Sequence, residues 1–370
     1  MRAILSSAAH LPRRRYRALG RAISIMLAAS IAAAIGACGS APKAAAPAGA
    51  SRSTGAAAGG SSAQTQGAKA PARLLVSLDP HHLPSPVSGE AAVATGDGVL
   101  SLGGLDSTDV STDRVVRLDP SGGAAHTAGR LGAPLHDAAA ATLGPRVLLF
   151  GGGAASELDT VQALSGTRNA GAAPAGTGAS GAIGSAAIGH LPGTRSDLSA
   201  VSVGAAVYLL GGYDGSAPNA SVLRTSDGSS FTTFARLPVP FRYAAVAALG
   251  TKVYAFGGET ASGGDSDAIQ LLDTATGQAR LLGHLPRAIS HASAVALGGR
   301  VYVLGGRAAG TPLRQVLAFD PATGVVRSAG ELPLAVTNGA AATAGGRGWL
   351  LGGLGSEGRT LDTIVELRLG

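Results

Sequence analysis

Seven residues carry most of the chemistry that this sequence offers: His136, Asp137, Asp197, Arg242, Tyr243, His291 and Asn338. The guanidinium of Arg242 can clamp a carboxylate or sulfate through paired hydrogen bonds. Tyr243 beside it offers a face to a sugar ring, or a hydroxyl to a hydrogen bond. Imidazoles and carboxylates such as His136, Asp137, Asp197 and His291 also ligate divalent ions, but their spacing fixes no common distance. No metal site and no cofactor are therefore expected. The sequence holds no nucleophile–base pairing and no phosphate-binding loop, so no catalytic residue is assigned.

These residues share a phase. A leucine soon followed by proline recurs at Leu83, Leu131, Leu191, Leu237, Leu285 and Leu332. Five positions on stand Ser88, His136, Ser196, Arg242, Ser290 and Thr337, all polar, and six positions on stand Gly89, Asp137, Asp197, Tyr243, His291 and Asn338. Twenty positions after each leucine a Gly-Gly pair begins, at Gly103, Gly151, Gly211, Gly257, Gly305 and Gly352, and successive pairs lie 48, 60, 46, 48 and 47 residues apart. A fixed internal distance kept through six copies is the mark of a repeat architecture.

Each copy reads as strands. Ala244–Leu249 is small and apolar, Gly250-Thr251-Lys252 is a polar turn, and Val253–Gly258 is a second strand. Its bulky residue, three positions before the diglycine, is Leu100, Leu148, Tyr208, Tyr254, Tyr302 or Trp349 in the six copies. Val316–Pro321 is a third strand, Gly324 a turn, and Val325–Leu332 a fourth. Short strands, regular turn signals and little helical periodicity predict an all-β fold. A period near 47 with four strands and a diglycine resembles the kelch repeat, from Arg73 to Gly370. The tryptophan that kelch repeats carry in the fourth strand is missing throughout. The resemblance implies a six-bladed β-propeller of four-stranded blades. After Gly352-Gly353 only one strand follows, Thr363–Leu369, while an orphan strand, Arg73–Leu78, precedes Leu83 in the phase of a fourth strand. The N-terminal strand is thus expected to complete the last blade and close the ring, removing two exposed sheet edges. The long second spacing reflects a Gly/Ala/Ser/Thr insertion at about 165–184 between outer strands.

In a propeller the first strand of each blade lines the central channel. Equivalent positions then form polar rings at one mouth, and the loops after each diglycine open on the same face with Glu157, Asp214, Glu259, Asp265 and Arg307 among them. Convergent polar groups around a concavity indicate a ligand site, with Arg242 the one cation of the ring. Galactose-oxidase-like enzymes share kelch blades but need a cysteine crosslinked to tyrosine, and the single cysteine here, Cys38, lies far from the repeats. Secreted sialic-acid epimerases are six-bladed kelch proteins, and the chain resembles them in architecture without a motif that matches residue by residue. The leading expectation is a non-enzymatic module binding a protein or a glycan; the alternative is a sugar-acid isomerase or epimerase.

The N-terminus reads as an address. Arg2, Arg13, Arg14, Arg15, Arg17 and Arg21 precede an apolar stretch, Ala22–Ile35, and a small-residue exit before Cys38. This pattern is a secretory signal over 1–37. Ile35-Gly36-Ala37-Cys38 resembles a bacterial lipobox, which implies a diacylglyceryl group on Cys38 and export with anchoring on the extracytoplasmic side of the membrane. Residues 38–72 are rich in Ala, Gly, Ser and Pro and read as a disordered tether, leaving 73–370 as the propeller domain. The formal charge of +7 belongs to the signal: without those six arginines, 23 of the 29 basic residues face 22 acids. A nucleic-acid partner is therefore not expected.

Overall fold

In a computed structural model of the chain, the structure describes residues 73–121, 123–167 and 182–370. The signal peptide, Cys38, the tether up to Ala72 and most of the 165–184 insertion lie outside the described residues.

The described chain is antiparallel β-structure. Its first strand, β1 (Leu74–His82), pairs with no sequence neighbour. A four-stranded meander follows: β2 (Ala91–Thr95), β3 (Gly98–Leu102), β4 (Thr112–Leu118) and β5 (His126–Leu135). A second runs through β6 (Ala139–Leu143), β7 (Arg146–Phe150), β8 (Thr160–Ser165) and β9 (Gly184–His190). A third runs through β10 (Ser196–Val203), β11 (Ala206–Tyr213), β12 (Asn219–Thr225) and β13 (Thr232–Phe241). Next come β14 (Ala245–Leu249), β15 (Lys252–Phe256), β16 (Ser266–Asp273), β17 (Gln278–Leu297), β18 (Arg300–Ala308), the short β19 (Thr311–Pro312), β20 (Gln315–Asp320) and β21 (Val325–Glu331), all in one eight-stranded sheet. The last sheet combines β22 (Ala340–Ala344), β23 (Arg347–Leu351) and β24 (Thr363–Leu369) with β1, which lies antiparallel against β24 from Leu74↔Leu369 to Leu78↔Val365.

Four sheets are thus separate four-stranded blades, where the sequence suggested six. The cause is β17. Its 20 residues run without a turn, pairing with β16 as far as Ile289 and with β18 from Ser290 onward. The backbone that elsewhere breaks between an outer strand and the next inner strand is continuous here. Its two halves still pack face to face, with Phe256 and Ile269 against Val301, Val303 and Phe319.

The core lies between sheets. Leu100, Leu102 and Val115 of the first blade meet Val147 and Leu149 of the second. Trp349, Leu351 and Ile364 of the last sheet meet Val99, Val116 and Leu118 of the first. Strand alternation supplies these faces, since successive side chains point to opposite sides. The diglycines allow the sheets to approach. Gly257 and Gly258 sit at φ +65° and +100°, and a Cβ at Gly257 would lie 2.3 Å from the Ile289 carbonyl oxygen. That same carbonyl accepts the Gly258 N–H at 2.9 Å, tying the end of the second strand to the entry of the next repeat. Among the described residues no helix is long and apolar enough to cross a membrane.

Candidate functional site

The second polar ring is built by the backbone. Asp137, Asp197, Tyr243, His291 and Asn338 all stand in the left-handed region, at φ of 51°, 56°, 54°, 55° and 55°, with Gly89 at 62°. Asp, Asn and His are the types that enter this region most readily, but for the bulky Tyr243 it is strained, and such strain persists only where the surroundings impose it. What imposes it is a cycle of hydrogen bonds. The N–H of Asp137 donates to the Gly89 carbonyl (2.7 Å), Asp197 to Asp137 (2.9 Å), Tyr243 to Asp197 (3.1 Å), His291 to Tyr243 (2.9 Å), Asn338 to His291 (3.0 Å) and Gly89 to Asn338 (2.9 Å).

These residues line one cavity of about 120 Å³, together with Glu90 and the small residues that open the inner strands. Beyond it lies a further space of about 180 Å³, lined mainly by alanines of the inner strands with Ser199 and Ser293. Five of the seven singled-out residues, Asp137, Asp197, Tyr243, His291 and Asn338, therefore come together. The other two stand behind them. Nδ1 of His136 lies 2.9 Å from Ser111 Oγ, and its Nε2 is 3.9 Å from Asp137. Burial lowers its pKa, opposed by the charge of Glu157. Arg242 donates to Glu259 at 2.6 Å, approaches Asp197 at 3.5 Å, and stacks on Tyr213 with its guanidinium carbon 4.7 Å from the ring centre.

Burial governs the electrostatics. The Asp137 side chain is 13% exposed, and its pKa is pushed up to about 8 by burial and by the charge of Asp197, against the Tyr243 hydrogen bond and Arg242. Asp197, 4% exposed, is pushed up to about 6 by burial, against the Tyr243 hydrogen bond and Arg242. The Tyr243 hydroxyl donates to Asp137 Oδ2 at 3.4 Å, and burial together with both carboxylates raises its pKa. The Tyr243 and His291 rings stack at 3.8 Å. His291 is pushed down to about 3 by burial and by the charges of Arg307 and Arg242, so it is neutral at pH 7. Desolvation disfavours the charged form of each of these groups.

The sequence reading missed Glu90. It occupies the position after the ring, where the other copies carry Ala138, Leu198, Ala244, Ala292 and Gly339. One carboxylate among small apolar residues was the available signal. Glu90 is 7% exposed, neither carboxylate oxygen has a hydrogen-bond partner, and burial raises its pKa well above the usual range. The reading also missed that Glu259 holds two guanidiniums, that of Arg242 and that of Arg307 at 3.0 Å. Among the described residues no group of three or more His, Cys, Asp or Glu is arranged to hold a metal ion.

Strand order, inter-sheet packing and the polar rings define a propeller arrangement, and the family comparison names its repeat. Residues 197–370 match the model of the KLHDC2/KLHL20/DRC7 Kelch-repeats domain. The described chain is an all-β propeller with kelch repeats. A solved structure titled "Structure of YjhT" superposes with a TM-score of 0.62 over 76% of this chain and 95% of that one, at 16% identity, which is a likeness of fold. No curated protein matches.

Proposed function

We propose that the domain is a protein-binding module that seats its ligand in the polar mouth of the channel. A propeller with kelch repeats fits a protein-binding module. The observation that carries the reading is the ring itself, in which five non-glycine residues, the strained Tyr243 among them, are held in the left-handed region around one cavity. Strain of this kind clusters at sites of function. In this reading the long sheet counts as two blades joined through β17, giving six, and β1 completes the last and closes the ring. Support comes from the packing between its two halves, the β1–β24 pairing and the Gly353 N–H donated to the Val87 carbonyl at 2.8 Å. The module is exported and held by lipid on Cys38 to the outer side of the membrane, a reading that rests on the N-terminal sequence. A sugar-acid enzyme would need a guanidinium open to a carboxylate, and Arg242 is taken by Glu259 and Asp197.

The test is a thermal-shift panel of acidic sugars and of acidic, neutral and basic peptides on wild type, Tyr243→Ala and Arg242→Ala. Peptides are expected to stabilise wild type and to lose that effect in Tyr243→Ala. Equal shifts in wild type and both variants would move the site away from the channel mouth.

A further inference from the structure

The mouth cavity holds more acceptors than donors. Asp137 and Asp197 bring two carboxyls to it; Glu90 lines it as well, but both its carboxyl oxygens are shut away from solvent, with Oε1 against Gly352. Both oxygens of Glu90 are buried without a hydrogen-bond partner, and the N–H groups of Glu90 and Ala340 oppose the burial that raises its pKa. His291 adds another acceptor. Ser290 Oγ donates its single proton to Asp265 Oδ1 at 2.6 Å, so in its 2.8 Å contact with His291 the imidazole Nδ1–H must donate. Nε2 of the neutral ring is left with its lone pair. On the donor side, Tyr243 gives its proton to Asp137, and Arg242 and Arg307 are turned toward Glu259. Among the described lining side chains, the amide of Asn338 is the remaining donor.

We infer that this cavity binds a primary ammonium group, presented by a lysine side chain or a free N-terminus of the partner protein. The inference rests on the binding-module reading and adds the chemistry that the mouth recognises. An ammonium brings three N–H donors and one positive charge to two carboxyls whose one nearby guanidinium, Arg242, lies 3.5 Å from Asp197 and is hydrogen-bonded to Glu259. About 120 Å³ admits the group with a short methylene stem. A sugar would supply donors but no charge.

The site must then respond to pH. The titratable and charged groups that face it are Glu90, Asp137, Asp197, Tyr243 and His291 at the mouth, with His136, Glu157, Arg242, Glu259, Asp265 and Arg307 behind. Asp197, at about 6, and Asp137, at about 8, lose their protons between pH 5 and 9. An alkylammonium keeps its charge to about pH 10. Ammonium affinity therefore rises with pH across this window, and binding releases protons.

The experiment is calorimetric titration of the full-length protein with Nα-acetyl-lysine methylamide and with its Nε-acetylated counterpart. It is run at pH 5.5, 7 and 8.5 in two buffers of different ionisation heat. The charged probe is expected to bind about tenfold or more tightly at pH 8.5 than at 5.5, with proton release, and the acetylated probe about tenfold or more weakly. Asp197→Asn and Asp137→Asn should flatten the pH dependence. A lysine-free peptide with a free N-terminus distinguishes the two sources of the ammonium. Equal binding of both probes, or affinity independent of pH, overturns the inference; this comparison needs only wild-type protein, so it stands even where a variant fails to fold. Peptide binding that requires Tyr243 but ignores acetylation overturns the inference alone. Failure of every peptide to bind at the mouth overturns the binding-module reading with it.

Discussion

Replacing Asp137 by Asn should stabilise the protein at alkaline pH and leave it nearly unchanged near pH 5. The substitution keeps the shape of the side chain, and Asn is at ease at φ 51°. It removes a group that must ionise in a buried site. An acid whose pKa is higher in the folded than in the unfolded chain binds more protons when folded, throughout the interval between the two values. Stability falls as pH rises across that interval. For Asp137 the interval runs from about 4 in the unfolded chain to about 8 in the folded one. At about 1.4 kcal/mol per pH unit, the whole interval is worth at most about 6 kcal/mol. Asp197 carries part of the same charge, so an advantage for the Asn variant of about 2–4 kcal/mol at pH 8.5, relative to pH 5, is the expected size. Urea unfolding of both proteins from pH 5 to 9 measures it. If the two lose stability in parallel over that range, the buried carboxyl is not the source of the pH dependence and the electrostatic account of the mouth fails.

Gly257→Ala should cost about 2–4 kcal/mol, because its Cβ would meet the Ile289 carbonyl oxygen at 2.3 Å. Gly263→Ala, at a φ of +77° but in open space, should cost about 1 kcal/mol; comparable losses would remove the close-approach explanation of the diglycine. Deleting Arg73–Leu78 should lower the melting temperature sharply, since it strips β24 of most of one of its two neighbouring strands and takes Leu74 from a cluster with Val365 and Leu367. Deleting residues 40–70 should leave melting nearly unchanged, and equal melting of the two truncations would refute the role of β1. Intact-mass spectrometry of membrane-extracted protein should find a diacylglyceryl group on Cys38 and lose it in Cys38→Ala; an unmodified cysteine would refute the anchor.

The repeat was legible because its carriers are local. The distance from leucine to diglycine is set by the step from the outer strand of one meander to the second strand of the next, so it recurs in the sequence wherever that step recurs. The ring followed from the same phase, and the types at Gly89, Asp137, Asp197 and Asn338 already favour left-handed backbone. His291 shares that tendency in weaker form, but Tyr243 carries no such signal; its conformation is dictated by the hydrogen-bond cycle, which links successive ring residues 46 to 60 positions apart and closes from Asn338 back to Gly89. The fate of Arg242 was not readable for a related reason. Its partner Glu259 lies in a loop 17 residues away, and the sequence does not say which of the acids on that face turns inward. The merging of two strands into β17 was hidden as well, since Leu285-Pro286 carries the same signal as Leu191-Pro192 and Leu332-Pro333, just before which β9 and β21 end.

The backbone cycle at the mouth has a consequence for how the protein can change. Six peptide units bonded head to tail fix the aperture, so its width does not depend on which side chains stand around it. Each ring position is a socket of set direction, and an exchanged occupant changes the contacts its side chain makes, such as the Tyr243–His291 stack, before it changes the frame. Transplanting the Arg-Tyr pair from one repeat to the next would carry those side chains to the neighbouring ring position while the frame stayed still. Specificity can therefore drift in small steps on a gauge that keeps its size.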